Sequence, residues 1–164
     1  MWFWQALSIF GDLQFWVGAG IVSLVFLFTI PKRAKKHVAW FTFLTLPAVT
    51  IGYAITYGLK IFFKMPRPCF GLPFCPISYS FPSGHATVIF AAMTTLALYY
   101  KNKCLGVLLL TFAVLSAFSR LVLGVHNLED VIVGSVIGIV VGFLIQRTYE
   151  NYQKEIRGIV SEIK

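Results

Sequence analysis

LQFWVGAGIVSLVFLFTI, Leu13 to Ile30, is the stretch that decides the fold: 18 residues without one charge. A helix of that length is long enough to cross the hydrocarbon core of a bilayer. Pro31 closes it, and Lys32-Arg33-Ala34-Lys35-Lys36-His37 follows as a basic turn. The same alternation continues along the chain. Val38–Leu59 is a second apolar stretch, with Pro47 expected to kink it. Ala86–Tyr100, Cys104–Leu123 and Val131–Ile145 are the third, fourth and fifth. The third is short unless its helix begins near Ser83, and the fifth is expected to begin earlier, near His126. Residues 60–81 read as a loop rich in proline and aromatic residues.

The ends read differently. Residues 1–11 carry Trp2 and Trp4, which suits a short helix at the lipid–water interface. Met1-Trp2-Phe3-Trp4 lacks a basic n-region, so no cleavable signal peptide is expected. Tyr149, Tyr152, Ile156, Val160 and Ile163 recur at helical spacing, which predicts a separate amphipathic surface helix.

Composition agrees with membrane residence. The chain is 58% hydrophobic and only 12% charged, with a mean hydropathy of +0.80. A soluble domain of 164 residues could not hide that much apolar surface. The expected fold is all-α: a polytopic bundle of about five transmembrane helices plus interfacial N- and C-terminal helices, forming one domain over residues 1–164. The net charge of +8 is assigned to basic residues at the cytoplasmic span ends rather than to nucleic-acid binding. With five spans, ten of the fourteen lysines and arginines fall on one side. Lys60, Lys64, Arg67 and Arg120 fall on the other. The positive-inside rule makes the first side cytoplasmic.

Three polar islands interrupt the apolar chain. They are Lys60 through Arg67-Pro68, then Pro82-Ser83-Gly84-His85, then Ser119-Arg120 with His126 and Asp130. Five spans put all three on the outer face. A charged group at the centre of a membrane helix costs about 2.5–3.5 kcal/mol on insertion scales, so such residues usually persist for function. Lys60, Arg67 and Arg120 can converge on an anion, arginine as a planar fork and lysine as a point charge. Ser83 and Gly84 stand at a helix start, where backbone N–H groups are free. His126 and Asp130 are four apart; on a helix they would share a face, and the carboxylate would orient the imidazole. His126 then reads as nucleophile, Asp130 as its orienter and His85 as general acid. Singly, each cation could be a snorkelling side chain and each histidine a structural one. Lys64 is read as a peripheral cation and Glu129 as a solvated charge; His37 is assigned no role. The joint occurrence on one face favours a phosphate site.

Together the three signatures resemble those of the type 2 phosphatidic acid phosphatase superfamily. Lys60 stands six residues before Arg67-Pro68, Pro82–His85 form the second signature, and Ser119-Arg120, His126 and Asp130 keep the spacing of the third. The resemblance covers residues 60–130. It implies a metal-independent phosphatase with no cofactor and a phosphohistidine at His126. Asp130 would orient, His85 would be the acid, and Lys60, Arg67, Ser83, Gly84 and Arg120 would be phosphate ligands. In size and motif layout the chain is similar to small bacterial lipid A 1-phosphatases and undecaprenyl-diphosphatases.

The expected substrate is a lipid phosphate reached laterally: undecaprenyl diphosphate, lipid A 1-phosphate or phosphatidylglycerophosphate. The expected location is a bacterial inner membrane, with the site on its periplasmic face. Phosphoryl transfer between lipids and a non-catalytic membrane subunit are the alternatives. Cys69 and Cys75 flank a short loop where a disulfide would be open to either outcome, and Cys104 is expected to be free.

Overall fold

Helix α5, Gly84–Tyr100, is the axis of the molecule, and every residue from Gly84 to Thr95 on it is buried. Its sequence is apolar all round and rich in Ala and Thr, as a helix enclosed on every side requires. Ser83 caps its N-terminus, accepting from the Ala86 N–H. Around it stand α4 (Leu46–Phe63), α6 (Lys103–Val122) and α7 (Leu128–Glu162). Earlier in the chain lie α1 (Trp2–Ile9), α2 (Leu13–Thr29) and α3 (Lys32–Trp40). The structure, a computed structural model, describes residues 2–73 and 75–162; expectations touching Met1, Phe74, Ile163 and Lys164 lie outside the described residues. Among the described residues all regular structure is helical.

Close packing of α5 on α7 depends on three glycines one turn apart. A Cβ at Gly134 would lie 2.4 Å from the Ser83 carbonyl oxygen, one at Gly138 2.4 Å from that of Thr87, and one at Gly142 2.9 Å from that of Ala91. Small residues at such spacing let helix backbones touch inside a membrane. Polar threads run through the same seam. The Thr87 hydroxyl donates to the Gly134 carbonyl at 3.0 Å and lies 2.9 Å from the Thr56 hydroxyl of α4.

Several expected boundaries shift. The basic segment at Lys32–His37 is not a turn but most of α3, because Pro31 pre-sets φ at −58° and Lys, Arg and Ala are strong helix formers. Pro47 follows a π-helical segment, Phe41–Thr45, that joins α3 to α4; proline has no N–H for the α-helical ladder, and the wider turn absorbs the gap. Helix α4 continues past Leu59 to Phe63, so Lys60 belongs to its last turn rather than to a loop. Lys64 then closes it in the left-handed region, φ 49°.

The C-terminal segment also departs from expectation. No separate surface helix forms, because α7 is a single 35-residue rod, about 52 Å long at 1.5 Å per residue. Neither proline nor a cap signal interrupts it. At the other end of the chain, α1 and α2 meet at a 50° bend over Gly11-Asp12. Helix α1 is not free at the surface but packs along α6. Three helical runs are long and apolar enough to cross a membrane: Lys35–Phe63, Lys103–Val122 and Leu128–Ile159. The bent α1–α2 pair makes a fourth if taken as one span, and α5, at 17 residues, falls just short of that length.

Candidate phosphate site

The end of α4, the start of α5, the end of α6 and the start of α7 meet at one end of the bundle. Lys60 reaches from the last turn of α4 to the carbonyls of Tyr79 and Ser80, at 2.5 and 2.9 Å. Arg67 follows the short linker after α4. Its Nε donates to the Ser78 carbonyl at 2.7 Å and its Nη2 to the Ser78 hydroxyl at 2.9 Å. Its Nη1 contacts the Val125 carbonyl at 2.9 Å and His126 Nε2 at 3.0 Å. Lys60, Arg67, His126 and Asp130 are all under 9% exposed.

The Arg67–His126 contact fixes a tautomer. A guanidinium can only donate, so Nε2 of His126 is the unprotonated nitrogen and Nδ1 carries the hydrogen. That Nδ1–H faces Asp130 Oδ2 at 3.3 Å. Asp130 Oδ2 also accepts from the Asn127 N–H at 2.8 Å and from the Ser80 hydroxyl. Gly124, at φ +67°, turns the chain out of α6 so that His126 stands before α7. The expectation that His126 and Asp130 share a helical face is therefore corrected. His126 lies in the preceding turn, and Asp130, on the first turn of α7, reaches back to the backbone at Asn127 as in a capping box.

Electrostatics suit an anion. Burial above all pushes the His126 imidazole down to about 4; Asp130 opposes the shift, while Arg67, Lys60 and Arg120 add to it. The ring is neutral at ordinary pH. Burial likewise lowers Arg67 to about 10, with Arg120 as the next cause. Arg120, in the last turn of α6, has a buried Nε without a partner. Gly84 and His85 open α5, and the first N–H groups of a helix have no intrahelical acceptor. Excess positive charge, an orphaned donor and a helix start together favour a dianion.

Two expected site residues stand slightly apart. Among the described residues no hydrogen bond joins His85 to the Arg67–His126 cluster. His85 instead faces Asp12 and Ser116, and Arg120 donates to the Ser8 hydroxyl. Ser83 is fully buried, its N–H donating to the Asp130 carbonyl at 2.9 Å. Sequence reasoning missed Ser78 and Ser80, which carried no sign beyond lying just before Pro82. It also missed Ser8, Gly11 and Asp12. Asp12 did carry a signal, as an ionisable residue amid apolar ones.

Remaining residues fall beside the site. Cys69 and Cys75 are joined by a disulfide, whereas Cys104 is free and exposed. The bridged loop walls a cavity of about 340 Å³ in which Arg67 and Lys64 meet Phe70, Leu72 and Ile77. Glu129 is exposed, and His37 Nδ1 lies 2.9 Å from the Tyr99 hydroxyl.

A membrane helix bundle with buried cations gathered around a neutral histidine defines a class of phosphate-handling integral membrane proteins. Residues 46–154 match the PAP2 superfamily, and the chain belongs to that family. It is 31% identical over 140 residues to an undecaprenyl-diphosphatase of Sulfolobus acidocaldarius, covering 84% of this chain and 65% of that one. It is 31% identical over 121 residues to the undecaprenyl-diphosphatase BcrC of Bacillus subtilis, covering 70% and 59%. A lipid A 4'-phosphatase of Porphyromonas gingivalis is 27% identical over 145 residues, covering 82% and 61%. The chain thus spans less than two thirds of the length of these relatives. In three dimensions it resembles a PAP2-type phosphatidylglycerolphosphate phosphatase from Bacillus subtilis, with a TM-score of 0.75 at 22% identity, covering 90% of this chain and 75% of that one. Aquifex aeolicus LpxE gives 0.59 at 26% identity, covering 82% and 85%.

Proposed function

We propose that this chain is a single-domain, multi-pass membrane phosphatase that removes phosphate from an envelope lipid through a phosphohistidine. The observation that carries the reading is the chain Arg67–His126–Asp130. It holds a neutral imidazole with its lone pair on Nε2, inside a ring of cations. Substrate phosphate takes the place of the lone pair as partner of Arg67 and draws in Lys60, Arg120 and the start of α5 at Ser83 and Gly84. Nε2 attacks phosphorus, the bond to the leaving oxygen breaks, and His85 gives that oxygen a proton. Asp130 steadies the positive charge on the ring. Water then attacks phosphorus, the N–P bond breaks and returns its electron pair to Nε2, His85 takes the proton of water, and inorganic phosphate leaves.

The lipid is inferred from the names of the relatives and from the apolar wall at Phe70, Leu72 and Ile77. Undecaprenyl diphosphate, a lipid A phosphate and phosphatidylglycerophosphate are the candidates. We take the chain to cross the membrane five times, with α2, α3–α4, α5, α6 and α7, and the site would then lie on the side opposite the basic residues. Lys36, Lys101, Lys154 and Arg157 line one cavity at that opposite end, which agrees with a cytoplasmic face there. The membrane meant is a bacterial plasma membrane, with the site outward.

The test is phosphate release from each of the three lipids in detergent, with His126→Ala alongside. The variant should lose several orders of magnitude in kcat, and acid-labile radiolabel from donor phosphate should appear on the wild-type chain alone. Near-normal release by His126→Ala would refute the reading.

A further inference from the structure

Asp12 is the only acidic residue among the first 128, yet it lies at the functional end of the bundle. It occupies the bend between α1 and α2. Its Oδ1 stands 3.4 Å from Nδ1 of His85, which is 7% exposed. The alignment falls short of a hydrogen bond, and Nδ1 has no other partner. Nε2 of His85 lies 3.5 Å from the Ser116 hydroxyl.

The simple structural explanation fails. Asp12 precedes α2 in the N-cap position, but its carboxylate makes no cap hydrogen bond. The bend is also held by other groups. Ser116 donates to the Leu7 carbonyl at 2.9 Å, Arg120 Nη1 to the Ser8 hydroxyl at 2.5 Å, and Trp16 Nε1 to the Phe10 carbonyl at 2.7 Å. Gly11 permits the approach: a Cβ there would lie 2.0 Å from His85 Nε2. The chain is thus pressed against the imidazole by anchors that do not need the carboxylate. Asp12, His85, Tyr53 and Gln14 share a cavity of about 380 Å³, so the pair borders open space.

We propose that Asp12 is the positioning residue of His85, holding the ring by Nδ1 so that Nε2 delivers the proton to the leaving oxygen. The proposal rests on the phosphatase reading above. Its physical basis is that the charged groups facing His85 are Asp12, from the α1–α2 bend, and Arg120, from α6. A carboxylate at Nδ1 accepts that nitrogen's hydrogen in a hydrogen bond and leaves Nε2–H free to donate. The two histidines then have equivalent supports, Asp130 for the nucleophile and Asp12 for the acid. The second support comes from a segment outside residues 46–154, the part matched to the family.

The experiment exploits the leaving group. Dodecyl phosphate expels an alkoxide that needs a proton; 4-nitrophenyl phosphate expels a stable phenolate that does not. In a single turnover, which reads only formation of the phosphohistidine, Asp12→Asn should slow release of dodecanol by about 10- to 100-fold, a fraction of what general acids contribute, and barely change the burst of 4-nitrophenolate. Asp12→Glu should restore part of the loss. A retained burst of 4-nitrophenolate also certifies that Asp12→Asn is folded. Equal slowing of both substrates, or no slowing of either, would overturn the assignment of Asp12. His85→Ala separates this failure from failure of the wider reading: it should show the same leaving-group contrast. If His85→Ala lacks that contrast, the acid role of His85 falls, and the role of Asp12 with it.

Discussion

Gly134→Ala tests whether the seam between α5 and α7 sets the geometry of the site. The new Cβ would sit 2.4 Å from the Ser83 carbonyl oxygen and 3.2 Å from the Thr87 hydroxyl. Ordinary contact begins near 3.4 Å, so the two backbones must part by about 1 Å. The obstacle is backbone on a fully buried residue, so rotamer change offers no relief. Overpacking of this kind costs about 1–3 kcal/mol. The displacement falls between Ser83, at the helix start proposed to bind phosphate, and Asp130, one turn before Gly134. Misplacement by about 1 Å can reduce turnover roughly 100-fold. Phosphate release and thermal unfolding in detergent should therefore both fall. Gly58→Ala is the control: nothing lies within 4 Å of its Cβ, and helix propensity favours alanine by about 1 kcal/mol. Gly134→Ala with wild-type turnover and melting temperature would show that the seam has slack, and the argument from close approach would be wrong.

Two further outcomes follow from the site and its loop. In an NMR titration of labelled histidine, His126 should remain neutral down to about pH 4; a midpoint near 6.5 would contradict the burial account. Because its folded pKa is depressed, stability from this group is fully present above about 6.5 and is lost as the pH falls towards 4. Thiol counting under denaturing, non-reducing conditions should give one free thiol, Cys104, whereas three would exclude the Cys69–Cys75 bridge.

Much of the architecture was legible because charge is so sparse in this chain. Lys60, Arg67, His126 and Asp130 stood out against apolar surroundings, and the fold gathers them, with Arg120 slightly apart on Ser8. The limits of α2, α5 and α6 fell within a few residues of expectation, since Pro31, Ser83 and Asn102 are local stop and start signals. Local signals were silent elsewhere. Nothing near Lys60 marks it as helical, because the end of α4 is set by the left-handed turn at Lys64. The unbroken α7 was hidden by its change from apolar to amphipathic pattern, which looks like a boundary but does not interrupt the helix. Ser80 and Asp12 matter through contacts 50 and 73 residues distant in sequence, with Asp130 and His85, which no spacing rule can supply.

The hydrogen bond from Arg67 to Nε2 of His126 has a consequence for selectivity. In the resting protein the Nε2 lone pair, the proposed nucleophile, is sheathed. The ester carbonyls of surrounding lipids are neutral and offer a guanidinium little reason to change partners. A phosphate with two negative charges offers much more, and arginine has five N–H groups with which to make the exchange. On the proposed mechanism, charge on the incoming group is thus the key that uncovers the nucleophile. The site ignores the ester-rich solvent in which it sits until a dianion arrives.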